Sequence, residues 1–252
     1  MNYPFIKDNK VICNIEFKKV ITNGNAFSFL DIIFNDKKEF MNNLEIYGKG
    51  LIEYCKSNHY EIIVSKDNNK YKLLNMVLTK MGFHTYSFFF FDLVNFKYEP
   101  ENNLIFKSLN EVGENLFKET LEKATMGDPN YNGQYDEINE RFNRLKKNAG
   151  EYFNDKNWLL AYENDNIIGI ILPQRFPNLP ENGANFYLGL LTNYRGKNYG
   201  SSLLHKGMSS LIKQRVKLYT GKTSTKNVSM EKLFLKNGFI SVEETLYMYD
   251  KS

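Results

Sequence analysis

Residues 188–204 read Leu-Gly-Leu-Leu-Thr-Asn-Tyr-Arg-Gly-Lys-Asn-Tyr-Gly-Ser-Ser-Leu-Leu. An apolar strand runs into a short loop carrying Gly196 and Gly200, and the loop opens directly into an amphipathic helix. Such a junction is a cradle for a diphosphate. The glycines let the backbone approach a ligand, the first N–H groups of a helix lack an intrahelical partner, and the helix dipole is positive there. Arg195 and Lys197 add charge at the same point. The spacing is not that of a P-loop, since no Gly-Lys-Ser/Thr follows. It is not a dinucleotide fingerprint either, which needs glycines at the first, third and sixth positions. The plain alternative is a solvated basic turn ahead of an ordinary helix.

Other chemistries find little support. His59, His84 and His205 lie far apart, and Cys13 and Cys55 form no C-x-x-C pair. No metal site and no disulfide framework is therefore expected, and so few cysteines fit a reducing cytosol. No G-x-S-x-G elbow is present. Lys and Arg number 33 against 29 Asp and Glu, with a pI near 8.7. That mild excess is scattered, which argues against nucleic acid. The apolar run at 87–91 stops at Asp92, well short of the roughly 20 residues of a membrane span. The first residues show no secretory pattern. With 42% hydrophobic and 25% charged residues in 252, a globular cytoplasmic protein with no membrane partner is expected.

The hydropathy pattern places elements around the cradle. In the first part, strands are expected at 11–20, 26–34, 60–65 and 84–93, with helices at 38–58 and 69–81. The polar, Pro100-containing stretch at 94–103 divides the chain into domains at 1–97 and 98–252. In the second, strands are expected at 103–109, 158–163, 167–172, 185–191, 216–220 and 239–249. Helices fall at 112–125, 135–151, 199–215 and 228–236. The fold class is α/β with a mixed sheet. Both parts end alike, with Lys80-Met81-Gly82-Phe83 and Lys236-Asn237-Gly238-Phe239 each closing a helix and opening a strand. Strands at Tyr60 and Val216 fall at the same offset, so the chain reads as two related halves.

Residues 195–200 resemble the acetyl-CoA loop of the GCN5-related N-acetyltransferases (GNAT family), Gln/Arg-x-x-Gly-x-Gly/Ala. Arg195, Gly196, Lys197, Tyr199 and Gly200 fit, while Asn198 stands where a glycine is usual. Asn tolerates left-handed backbone, so the turn can survive. The hairpin at 158–172, the strand at 188–192 and the segment from Asn227 to Phe239 extend the resemblance over roughly residues 103–250. The first half then looks like a degenerate copy. Its junction, Phe34-Asn35-Asp36-Lys37-Lys38-Glu39, has no glycine, and Asp36 and Glu39 would repel a diphosphate.

The resemblance implies an acetyl-CoA-dependent transfer of an acetyl group to an amine of a small molecule or peptide. Backbone groups of Leu190, Leu191 and Thr192 would pair with the pantetheine arm, with the Leu190 N–H polarising the thioester carbonyl. Amides of Lys197, Asn198, Tyr199, Gly200 and Ser201 would hold the pyrophosphate, screened by Arg195 and Lys197. Asn227 would hold pantetheine or act as a plain N-cap. Many relatives carry a Tyr as general acid where this chain has Phe234. Some carry a Glu base on the fourth strand, where Ala184 and Asn185 stand here. Tyr187 is then the candidate acid or water-orienting group, against the alternative of a half-buried strand tyrosine. Asp128, Tyr131, Tyr135 and Glu181 offer acidic and aromatic surface to a cationic acceptor, although Asp128-Pro129 also suits a turn. A non-catalytic CoA-binding module and a nucleotide-binding protein remain alternatives, as do monomer and homodimer.

Overall fold

A computed structural model describes residues 2–22, 24–58, 61–98, 104–130 and 137–248, with the backbone alone at 18–30 and 243–244. In chain order the elements are β1 (Asn2–Lys7), β2 (Lys10–Thr22), β3 (Gly24–Phe34), α1 (Lys37–Asn42), α2 (Leu44–Asn58), β4 (Glu61–Ser65), α3 (Tyr71–Lys80) and β5 (His84–Asp92). There follow β6 (Ile105–Ser108), α4 (Leu109–Val112), α5 (Glu114–Thr125), α6 (Ile138–Ala149), β7 (Leu159–Glu163), β8 (Asn166–Phe176) and β9 (Leu179–Leu190). The chain ends with α7 (Tyr199–Lys213), β10 (Leu218–Ser224), α8 (Val228–Lys236) and β11 (Ile240–Met248). The architecture is α/β with strands in mixed orientation, as the sequence pattern indicates.

The chain forms two compact units. The first comprises Met1–Phe88, Lys222–Thr225 and Ser241–Ser252, and the second Phe89–Gly221 and Lys226–Ile240. The first unit is thus not one stretch of chain. Its strands run in the order β1-β2-β3-β4-β11. β3 and β4 are parallel, while β4 and β11 are antiparallel, with Ile62 opposite Tyr247. Phe40, Leu51, Cys55, Ile62, Val64, Leu74, Val77 and Tyr247 fill its core, and the Tyr247 hydroxyl donates to Asn75 Oδ1 at 2.7 Å.

In the second unit the order is β10-β9-β8-β7-β6. β6 through β9 are antiparallel neighbours, and β10 lies parallel to β9. Alternation sorts the side chains onto two faces. Leu160, Tyr162, Ile170, Leu172 and Tyr187 meet Phe117 and Leu121 of α5 and Phe142 of α6. Leu159, Ala161, Ile168 and Ile171 meet Leu203 of α7. Buried Phe117, Thr120, Leu121 and Ala124 recur at three and four residues along α5, which is why it lies flat on the sheet.

Three elements differ from the sequence pattern. β1 is an added edge strand, turned into β2 at Asp8 and Asn9 with φ of 48° and 61°, the backbone of a tight hairpin. The helix expected over 38–58 is two, because Asn43 caps α1 through its N–H to the Phe40 carbonyl. β8 and β9 also extend through the proline-rich stretch that reads as a loop. Pro173 is accommodated at a register shift after Ile171, where a ladder hydrogen bond is already forgone. Among the described residues no helix is long and apolar enough to cross a membrane.

In the first unit, α2 meets the end of α3 at Gly48. A Cβ there would lie 2.5 Å from the Met81 carbonyl oxygen and 2.7 Å from its Cα. Backbone atoms cannot rotate away, so Gly48→Ala is expected to cost about 1–3 kcal/mol, read as a lower urea midpoint.

Candidate active site

The site is built where β9 loses a neighbour. The Leu191 N–H donates to the Ile168 carbonyl of β8 at 2.9 Å. Antiparallel alternation therefore turns the N–H groups of Leu188 and Leu190 toward the other edge. On that edge β10 pairs at Leu218–Asn182 and Tyr219–Gly183, and the last residues of β9 lie beyond this ladder. The chain then makes a 3-10 turn over Thr192–Tyr194 and enters α7.

The loop geometry is that of a cradle. Gly196 has φ of 75°, and no heavy atom lies within 4 Å of where its Cβ would be. Asn198 takes the left-handed conformation (φ 65°, ψ 6°) expected of the glycine it replaces. As N-cap of α7 its own side chain makes no capping bond. A Cβ on Gly200 would lie 3.3 Å from Leu233 Cδ1, which draws α7 and α8 close together. Asn237 Nδ2 donates to Ser201 Oγ at 3.2 Å across the same junction. A cavity of ≈ 520 Å³ opens here, bounded by the end of β9, the α7 entry loop, the turn after α5 and α8.

Residues 118–239 match the sequence model of the Acetyltransferase (GNAT) family. This region is a GNAT domain. Among solved structures, the chain is similar to a GCN5-related N-acetyltransferase from Sphaerobacter thermophilus, at 13% identity and TM-score 0.57, over 95% of this chain and 76% of that one. It is also similar to an acetyltransferase of the GNAT family from Colwellia psychrerythraea, at 10% identity and TM-score 0.50, over 99% and 85%. At these identities what is shared is the fold. No curated protein matches the chain in sequence.

Of the expected site residues, the GNAT domain brings Tyr187, Leu190, Arg195, Gly196, Asn198, Gly200, Ser201, Asn227 and Asp128 to the cavity wall. Leu191, Thr192, Lys197, Tyr199 and Glu181 are not part of it. The Lys197 ammonium sits 5.5 Å over the Tyr194 ring. The Tyr199 hydroxyl donates to Glu163, which holds it above the usual phenol range. Glu181 pairs with Lys217 on the surface. Tyr131 and Tyr135 lie outside the described residues.

Arg195 differs most from expectation. Its Nε donates to the Leu190 carbonyl at 3.0 Å, and its Nη2 donates to the carbonyls of Ala124 and Met126, both at 2.9 Å. The guanidinium is engaged by backbone oxygens rather than held out for a phosphate. Tyr187, 9% exposed, also donates to the Ala124 carbonyl at 2.9 Å. Its ring folds over Gly189, where a Cβ would come within 2.5 Å of the hydroxyl. A carbonyl can only accept, so the Tyr187 proton is committed to the wall in this geometry.

Asn227 fulfils its N-cap reading, with Oδ1 accepting the Met230 N–H at 3.1 Å. Its Nδ2 also reaches Asp128 Oδ1 at 3.4 Å. Asp128 accepts the Asn130 N–H at 2.9 Å as well, so turn chemistry and cavity wall coincide in one carboxylate. Sequence reading missed Lys226, Lys232, Leu233 and Lys236, which also line the cavity. For Lys232, Leu233 and Lys236 the signal was helical spacing, since 229, 232, 233 and 236 share one face of α8.

Phe234 points elsewhere. It is 4% exposed, stacked on Phe89 at 4.8 Å and packed against Phe239 and Tyr219. Its Cζ lies 2.9 Å from where a Gly221 Cβ would be. A hydroxyl on that carbon would be buried among these rings beside Gly221. Phe234→Tyr is therefore expected to lose about 1–3 kcal/mol of stability in urea denaturation, without placing an acid in the cavity. At the cradle, Asn198→Ala is expected to cost about 1–2 kcal/mol for the left-handed backbone. Asn198→Gly should leave the urea midpoint nearly unchanged.

Proposed function

We propose that the GNAT domain is an acetyl-CoA-dependent N-acetyltransferase whose acceptor is an amine of a small molecule or peptide. The observation that carries this is the end of β9 that lies beyond the β10 ladder, leading through a short turn into an N-terminus of α7 that its N-cap side chain leaves uncapped. The residues fit the ligand. Left-handed turns at Gly196 and Asn198 keep side chains off the approach to α7, and first-turn N–H groups suit a diphosphate. Lys232 and Lys236 bring positive charge to the same cavity. The N–H groups of Leu188 and Leu190 would pair with an extended amide-bearing arm as an added strand does.

Acetyl-CoA would supply the thioester. The neutral acceptor amine attacks its carbonyl, one proton leaves the amine, and one reaches the departing thiolate. The Leu190 N–H would donate to the carbonyl oxygen as charge gathers there. Tyr187 lines the wall beside it, but its proton rests on Ala124; its proposed part is to shape the acyl end of the cavity.

A second reading, a non-catalytic CoA-binding module, is favoured by Phe234, whose ring lies in the core where relatives resembling this chain carry an acid. We also infer a single CoA site, with the first half a degenerate copy. At its matching junction Asp36 caps α1 by accepting the Glu39 N–H at 2.9 Å, so the helix end is already claimed by a carboxylate of the chain.

Thermal denaturation with acetyl-CoA, CoA and ATP in parallel tests the ligand. At about 100 times Kd a ligand adds roughly 2.7 kcal/mol, which at this length is a shift of several degrees. Shifts with both CoA species and none with ATP are expected. No shift with either CoA species would overturn the reading. Thiol release from acetyl-CoA over a panel of amines then separates enzyme from binding module.

A further inference from the structure

We propose that Arg195 is a positioning residue, a clasp that sets the width of the cavity before any ligand arrives. Its three carbonyl partners come from two different elements. Leu190 ends β9, while Ala124 and Met126 belong to the last turn of α5 and its cap. Carbonyls at a helix C-terminus lack intrahelical donors and carry the negative end of the dipole. A guanidinium supplied from the opposite wall satisfies both needs at once. Arg suits this seat and Lys does not, because a planar fork reaches several oxygens in fixed directions and an ammonium is a single mobile point.

The surroundings are shaped around that fork. Gly127 has φ of 68°, and its Cβ would lie 3.7 Å from Arg195 Nη1; the left-handed turn carries the chain past the guanidinium. The Ala124 oxygen receives Tyr187 as well as Arg195, filling its two lone pairs. One residue past Gly127, Asp128 accepts from Asn227 at the start of α8. Arg195, the turn after α5, Asp128 and Asn227 thus form one continuous wall from the end of β9 to α8. Phosphate contacts then fall to the α7 amides and the α8 lysines, and the arginine of the loop acts through the carbonyls it holds.

This rests on the acetyl-CoA reading only for the choice of probe, so two measurements are paired. Hydrogen exchange on the ligand-free chain reads the clasp itself. Arg195→Lys should speed exchange in the segment 124–130 and leave α7 and the β7–β8 hairpin as in the wild type. Unchanged exchange at 124–130 would overturn the clasp, whatever the ligand. Calorimetric titration with acetyl-CoA then reads its effect on the cavity. Arg195→Lys and Arg195→Ala should both lose about tenfold or more in affinity, with millimolar guanidinium, but not methylammonium, restoring the alanine variant. An Arg195→Lys variant that binds within about twofold of wild type while Arg195→Ala does not would mean that the charge alone matters and would overturn the inference. A wild-type chain that fails to bind acetyl-CoA, with exchange at 124–130 still responding to Arg195→Lys, would retire the acetyl-CoA reading and leave the clasp standing.

Discussion

The second unit turns on a strand that has a neighbouring strand on one side only at its end. Up to Gly183 β9 lies between β8 and β10. From Leu188 onward it keeps β8, and its other edge faces a cavity. Buried backbone groups demand partners, and here no second strand meets the demand; Arg195 takes the Leu190 carbonyl instead. The loop and α7 follow from this. A strand that leads into a helix whose N-cap side chain makes no capping bond brings two sets of donors, one from an edge and one from an end, onto the same volume.

The opposite wall shows how one short helix serves two masters. Phe234 of α8 lies in an aromatic cluster with Phe89, Phe239 and Tyr219, and its neighbour Leu233 abuts Gly200. Lys232 and Lys236, one turn apart, line the cavity together with Leu233. Core packing fixes the rotation of α8 about its axis, and that rotation in turn decides which side chains the cavity receives. A hydroxyl wanted at 234 would have to come from a helix turned differently.

Much of this was legible beforehand because it rests on local chemistry. Gly196, Gly200 and the apolar run before them announce a strand, a tight turn and a helix start, and the left-handed Asn198 follows from the short list of residues that tolerate that backbone. Gly82 and Gly238 likewise end their helices with positive φ. What escaped was decided by tertiary partners. Arg195 reads as a phosphate ligand until three carbonyls from α5 and β9 are seen to hold it. Glu181 reads as acceptor surface until Lys217 takes it. Of the prolines that signal a loop at 173–180, Pro173 is absorbed by a register shift that no single sequence displays, and Pro177 sits in the turn between β8 and β9.

The make-up of the first unit carries a consequence for how the chain comes into being. Its strand β4 is completed on one side by β11, and Tyr247 of β11 is wholly buried among the residues of the N-terminal core. Synthesis delivers β1 to α3 ahead of the GNAT domain, yet the strand that closes their core emerges after it. The earlier-made part of this unit must wait, with Ile62 and Val64 on an unpaired strand edge while the GNAT domain is being made. Domains that complete in order of synthesis escape such exposure; this one, by the route of its chain, does not.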